Sequence, residues 1–407
     1  MAKVKDIAMQ IRGVSYHPED LHNTLDEDSV VLLRANNIKD GKLILDDVVY
    51  VSKSKVAEQQ YLQTGDILIC ASSGSKELVG KAAFVDSVKN PMTFGAFCKV
   101  VRPQPEYSEY LGHYFNSPVY RRKISALSAG ANINNIKNEH IDNLDIQLVD
   151  EKERRKIITI LNELNMLISL RKQQLFKLDE LVKARFVEMF GKASLLAQNQ
   201  TKRLEECCIS ISGGNTPSMQ HPEYYGGNIP FVKSGDVKGE YIVESTLTLT
   251  KTALTETTAK ILPKSTLIVV IRSAALLKEF RIGMLMVDAV INQDLKALQV
   301  SEDFLPVYLM WAIKMQHQVL LNKVQTMLTS HIRMEDLLNL KIGTPTLFLQ
   351  NEFAAFVECV DRQKQTVQQS LEKLELMKKV RKQIWSVRGK YASKRPTMRA
   401  FGFPAWE

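Results

Sequence analysis

The five cysteines (Cys70, Cys98, Cys207, Cys208 and Cys359) are odd in number and contain no Cys-x-x-Cys pair. That argues against a disulfide framework and against a zinc ribbon; of the adjacent pair Cys207 and Cys208, one thiol is expected in a core and the other near the surface. No apolar run approaches membrane-spanning length, and Met1 to Gln10 lacks the apolar stretch of a signal peptide, so a cytoplasmic protein without a membrane partner is expected. Catalytic signatures are missing too. There is no Gly-x-Gly-x-x-Gly, Walker loop, His-Glu-x-x-His or Gly-x-Ser-x-Gly, and the seven histidines are scattered away from any ligand spacing. Asn90-Pro91-Met92-Thr93-Phe94 only superficially resembles a base methyltransferase motif, because the second proline is absent and no glycine-rich cofactor loop precedes it. The expectation is a chain without its own catalysis, cofactor or metal.

What is present is organised around two long helices. From Glu151 to Gly191, Ile157, Leu161, Leu164, Ile168, Leu175, Leu178, Val182 and Met189 recur at steps of four and three, interrupted by Arg171 and Arg185. So narrow a stripe needs a dedicated partner helix. Glu352 to Lys390 supplies it, with Phe353, Val357, Val360, Val367, Leu371, Leu374 and Trp385 on the same seam. Lys177-Leu178-Asp179-Glu180-Leu181 answers Lys373-Leu374-Glu375-Leu376-Met377, and Arg185 answers Arg381, at a shift of about 196 residues. A period that long is a domain duplication.

The order is therefore domain, helix, domain, helix: a first α+β domain at 1–150, a helix at 151–191, a linker at 192–201, a second domain at 202–346, a helix at 347–390 and a basic tail at 391–407. In the first domain, strand-like runs at 30–33, 48–51, 67–70, 82–85 and 97–101 precede a helix at about 109–127, a polar loop at 130–136 and a short strand at 144–149. Leu62 to Ile69 answers Leu262 to Val269, Leu33 to Ile38 answers Val232 to Val237, and Leu144-Asp145-Ile146 answers Leu340-Lys341-Ile342. The apolar strands are shared and the polar loops differ, as two readers of two targets require. The formal charge of +9 makes polyanions plausible partners, although much of it sits in the helices and tail.

The chain resembles the specificity subunits of type I restriction-modification enzymes over nearly its whole length. The resemblance is carried by Lys177 to Gly191, by Ile211-Ser212-Gly213-Gly214-Asn215-Thr216-Pro217, by Asn228 to Val237, by Ile69 to Ser75 and by Asn292-Gln293-Asp294. It implies two target-recognition domains separated by an antiparallel coiled coil, each reading one half of a split, asymmetric site on double-stranded DNA. It also implies two methyltransferase subunits and restriction/translocase subunits as partners. A helix of about 35 residues is roughly 50 Å long, and half-sites one DNA turn apart need about 34 to 36 Å. Gly13-Val14-Ser15-Tyr16 stands where Gly213 to Pro217 stands in the second copy, and Arg272 to Leu277 lacks the glycine-serine loop of Ser73-Gly74-Ser75. The two copies are thus expected to approach DNA with different loops.

Loop side chains able to pair with base edges or phosphates are the candidate contacts. In the first domain these are Arg34, Asn36, Asn37, Ser73, Ser75, Lys76, Asn132, Asn134 and Asn135. In the second they are Lys233, Ser234, Asp236, Arg272, Asn292, Gln293, His331 and Arg333. The alternative for Asn132, Asn134 and Asn135 is that they satisfy turn backbone. The alternative for the whole chain is a structural coiled-coil adaptor whose domains bind proteins.

Overall fold

The computed structural model describes residues 2–75, 77–129, 135–191, 201–277, 279–326 and 331–387. The expected tail at 391–407 and nearly all of the linker lie outside them. The chain divides into two compact units: Met1–Lys172 with Gln369–Glu407, and Gln173–Gln368.

In the first unit a four-stranded antiparallel sheet has the order Ala8–Arg12, Cys98–Pro103, Ile67–Cys70, Ala82–Phe84. The run Ile67-Leu68-Ile69-Cys70 is apolar throughout because both faces of its strand are covered. Ile67 and Ile69 face Tyr110, Leu111 and Leu161 on the helices, while Leu68 and Cys70 face Leu33 and Phe94 of a second sheet. That sheet has the order Met92–Phe94, Ser29–Leu33, Val49–Ser52, Leu21–His22, its first pair parallel. The longer helices are α1 (Ser108–Phe115), α2 (Pro118–Ala129) and the start of α3 (Glu151–Phe190). One continuous helix over 109–127 was the expectation. It breaks because Pro118 has no N–H to donate into a preceding turn, and Asn116 closes α1 by donating its side-chain amide to Gly112 O at 3.0 Å. The strand expected over 144–149 is confined to Asp145–Ile146, which pairs with Ala2–Lys3.

The second unit repeats this plan. One sheet has the order Cys208–Gly213, Leu295–Val300, Leu267–Val270, Ile282–Leu285, Tyr241–Ile242; the other has Leu247–Leu249, Tyr225–Val232, Val290–Ile291. The parallel pair recurs between Phe231-Val232 and Val290-Ile291. Leu267 and Val269 again face the helices, and Ile268 and Val270 face the other side. The longer helices here are α4 (Pro306–Met315) and α5 (Leu347–Val387), with the C-terminal part of α3 and a further helix at His317–Thr326. Cys207 is buried and Cys208 half-buried, which agrees with the expected division of the adjacent thiols.

Asp150 accepts a hydrogen bond from the Glu153 amide at 2.8 Å and so caps the start of α3. In the second unit Leu178, Val182, Phe186 and Phe190 of α3 pack with Phe353, Val357, Val360 and Val367 of α5. Arg185 pairs with Glu352 at 2.7 Å and Asp179 with Lys364 at 2.6 Å, so numbers rise on one helix as they fall on the other: these segments are antiparallel. Met189, expected on the seam, is only partly buried; past Val182 the buried line steps by four to Phe186 and again to Phe190. There α3 stops serving a narrow stripe and enters the domain core, where Phe186 stacks on Tyr308 at 5.8 Å and meets Phe353 edge-on at 5.3 Å.

Candidate nucleic-acid interface

In the second unit the separate polar loops meet at one end of the central sheet. Ile271 and Arg272 donate their amides to Asp294 O at 3.0 and 3.2 Å, and Ile332 donates to Ile271 O at 2.7 Å. An isolated bridge joins Arg272 to His331. Asn292 donates its backbone amide to Val232 O at 3.1 Å, and Asn215 donates to Ile291 O at 3.1 Å. Backbone pairing thus gathers the loops that begin at Gly214, Lys233, Arg272, Asn292 and His331. A Cβ on Gly214 would lie 2.1 Å from Ile291 O, so only glycine lets the entry loop come this close.

The first unit builds the same junction from different letters. Ala71 and Ser72 donate to Phe97 O, Ile136 donates to Ala71 O at 2.7 Å, and Ser72 bridges Asn135. Gly95 donates to Leu33 O and Val14 to Phe94 O. A Cβ on Gly13 would meet Gly95 O at 2.1 Å, so Gly13 does here what Gly214 does in the other copy. The entry loops differ in sequence, but the close backbone approach is common to both.

Within these clusters the candidate side chains differ in availability. Asn37 is 2% exposed and its amide is fully engaged: Oδ1 accepts from the Arg34 amide, and Nδ2 donates to Ile44 O and Asp47 O, all at 2.8 Å. It shapes the turn that presents Arg34 and Asn36, both of which reach Asp47. Asp236 likewise serves its own loop, accepting from the Lys233 and Thr246 amides, next to half-buried Lys233 and Ser234. Asn292 is buried; its Nδ2 donates to Asp294 at 3.0 Å and its Oδ1 is a buried acceptor without a partner. Gln293 is exposed and accepts from the Thr216 hydroxyl. Arg272, His331, Arg333, Ser75 and Asn135 are exposed, while Ser73 is half-buried and receives the Ser75 amide. Lys76, Asn132 and Asn134 lie outside the described residues.

Sequence reasoning passed over three residues of the junction. Phe97 is 70% exposed on the loop that receives Ala71 and Ser72, although its strand-like surroundings disguised it as core. Lys99 and Lys296 occupy one register in the two copies, opposite Ile69 and Val269 and beside the polar loops. Burial, with Arg12 alongside, holds Lys99 below the usual lysine value against the pull of Asp142. A basic residue recurring in an otherwise apolar strand of both repeats was the available signal. Beneath the loops burial pushes the Cys98 thiol up to about 12, so no thiolate nucleophile forms there near neutral pH.

The chain matches the type I restriction modification DNA specificity domain twice, over residues 18–180 and 198–376. It belongs to that family, as the resemblance implied. Among curated relatives it is 40% identical over 184 residues to the type I restriction enzyme EcoKI specificity subunit of Escherichia coli K12, covering 45% of this chain and 39% of the relative. It is also 40% identical over 183 residues to the StySPI specificity subunit of Salmonella potsdam, with the same coverage. These alignments therefore span about two fifths of the relatives' length. In fold it is similar to a chain from a structure of type I restriction-modification complex assembly, with TM-score 0.54 and 16% identity over 94% of this chain and 96% of that one. The type I restriction-modification system S subunit from M. genitalium gives TM-score 0.50 and 15% identity over 94% of both chains.

Proposed function

We propose that this chain is the non-catalytic DNA-recognition subunit of a type I restriction-modification complex in the cytoplasm, each domain reading one half of a bipartite, asymmetric site. The observation that carries the reading is the duplicated loop junction: one scaffold, held by the same backbone bonds in both units, offers two different sets of polar side chains. Arg34, Asn36, Ser73, Ser75 and Asn135 are the proposed contacts of the first domain, joined by Lys76, Asn132 and Asn134. Lys233, Ser234, Arg272, Gln293, His331 and Arg333 are those of the second, with Asn37, Asp236 and Asn292 holding the loops that carry them. Each good bidentate base contact is worth about 1–3 kcal/mol of discrimination.

In this reading α3 and α5 form an antiparallel coiled coil that separates the domains and docks two methyltransferase subunits, with restriction/translocase subunits joining them. Helices of 40 and 41 residues support it, since about 60 Å of helix exceeds one DNA turn. Exposed apolar side chains such as Phe176 and Phe348 on these helices suit a protein partner. The test is to express the chain with its methyltransferase partner in a methylation-free host and map modified adenines by long-read sequencing. A split asymmetric motif is expected. A stable complex that leaves no motif would move the reading to a protein-binding adaptor.

A further inference from the structure

The first unit contains a groove of about 1370 Å³ whose described lining comes entirely from that unit. In the second unit charged and polar side chains pair with one another at the corresponding place. There Lys314 on α4 pairs with Glu240 at 2.5 Å, the Tyr241 hydroxyl donates to Asp361 at 2.6 Å, and Lys364 pairs with Asp179 at 2.6 Å and with Asp361 at 3.7 Å. Burial opposes the Glu240 charge, but Lys314 wins and holds its carboxyl below the usual range.

Internal landmarks align the two copies. Phe84 donates to Gly41 O as Met284 donates to Glu240 O, so Gly41 and Lys42 stand for Glu240 and Tyr241. Tyr110 donates to Gln147 O as Tyr308 donates to Gly343 O, so His113 and Asn116 stand for Trp311 and Lys314. On the long helices the repeat sets Asn165 for Asp361, Ile168 for Lys364, Lys378 for Val182 and Lys382 for Phe186. Every acid of the second unit's network except Asp179, matched by Glu375, has lost its charge in the first. Two core positions have become lysine.

The result is a cluster of lysines on one side of the groove. Lys382 is 5% exposed, and its ammonium donates to Asn116 O at 2.8 Å. Half-buried Lys378 lies near it, with exposed Lys42 and Lys172 at the mouth. Glu375 pairs with Lys172 at 3.1 Å; among the described residues no carboxylate pairs with Lys42, Lys378 or Lys382. Five acids also line the groove: Asp66 is taken by Arg102 at 2.8 Å, Glu109 receives Asn162 at 2.7 Å, Asp6 accepts the Lys3 amide at 2.7 Å, and Asp40 and Asp86 are exposed. Burial, reinforced by Lys378, pushes Lys382 down to about 7, and burial with the charges of Lys382 and Lys378 pushes His113 down to about 4. An unpaired buried ammonium is costly, and a bound anion would relieve it.

We propose that this groove binds a small, multiply charged phosphate anion, of the class of inorganic triphosphate or a nucleoside triphosphate, through Lys42, Lys172, Lys378 and Lys382. A chain of phosphates can face several lysines at once, which a single carboxylate cannot, and lysine serves as a point-charge partner for phosphate. The groove has room for a nucleotide-sized ligand. A DNA backbone offers the same phosphates, so the sources are separated by experiment.

The full chain is titrated calorimetrically, in phosphate-free buffer, with tripolyphosphate, with ATP and with a duplex oligonucleotide. Saturable one-to-one binding of tripolyphosphate or ATP is expected, weakened about tenfold or more in K378M/K382M. If that variant fails to fold, K42M/K172M at the exposed mouth must show the same weakening. No binding of either free anion, or binding that the substitutions leave unchanged, overturns the proposal. So does a lysine-dependent signal seen with the duplex alone. Because the groove is distinct from the loop junction, failure here leaves the methylation-mapping result untouched.

Discussion

Neighbouring asparagines in one loop have opposite fates. Asn36 is exposed, while Asn37 is buried in three hydrogen bonds. N37A is therefore expected to destabilise the first unit by about 1–3 kcal/mol, because it leaves buried backbone groups unpaired, and chemical denaturation will measure it. N36A should leave stability unchanged and alter the mapped methylation motif at one half-site only. Lys382 makes a prediction of opposite sense. Its folded value of about 7 lies below the ordinary 10.5, so between those values the unfolded chain binds the extra proton and stability rises with pH. His113, pushed from 6.5 to about 4, adds a loss of stability as pH falls through that lower window. K382M should raise the thermal midpoint at pH 6, and its advantage should shrink towards pH 10; an advantage independent of pH would contradict the buried, uncompensated charge.

The elements were legible where their burial was uniform. Strands such as Ile67–Cys70 and Leu267–Val270, covered on both faces, read as unbroken apolar runs, and the heptad steps revealed both long helices. The ends were less legible. Alternating steps of four and three track a partner helix, whereas successive steps of four rotate the buried line around α3 and into the domain core at Phe186 and Phe190. F186A should cost about 3–5 kcal/mol through the cavity left among Tyr308, Phe190 and Phe353. Its loss should appear in hydrogen exchange of the second unit. Deleting one heptad from both α3 and α5 is expected to change the distance between half-sites in the mapped motif while leaving each half-site intact; an unchanged distance would count against the spacer role.

At the scale of the molecule, the proposed recognition of DNA should depend on assembly. Its excess charge lies largely in the helices and tail, so binding by the isolated chain should be weak. Assembly with the methyltransferase should strengthen it and steepen its dependence on salt, as a plot of affinity against salt concentration will measure. Duplication, the α+β class and the two long helices were determined by the sequence alone, because they rest on periodicity and repeated wording along the chain, and the family was legible there through the resemblance carried by stretches such as Lys177 to Gly191 and Ile211 to Pro217. Which loops share one junction was decided only by tertiary structure, since Arg272, Asp294 and His331 are joined by backbone bonds that no local pattern encodes. The same holds for Asn37, whose burial depends on Ile44 and Asp47, and for the cationic groove. Lys378 and Lys382 look like ordinary helix-surface lysines until the fold sets them where the other copy buries Val182 and Phe186. A charge has its chemical meaning only in its surroundings, and those surroundings are assembled from distant parts of the chain.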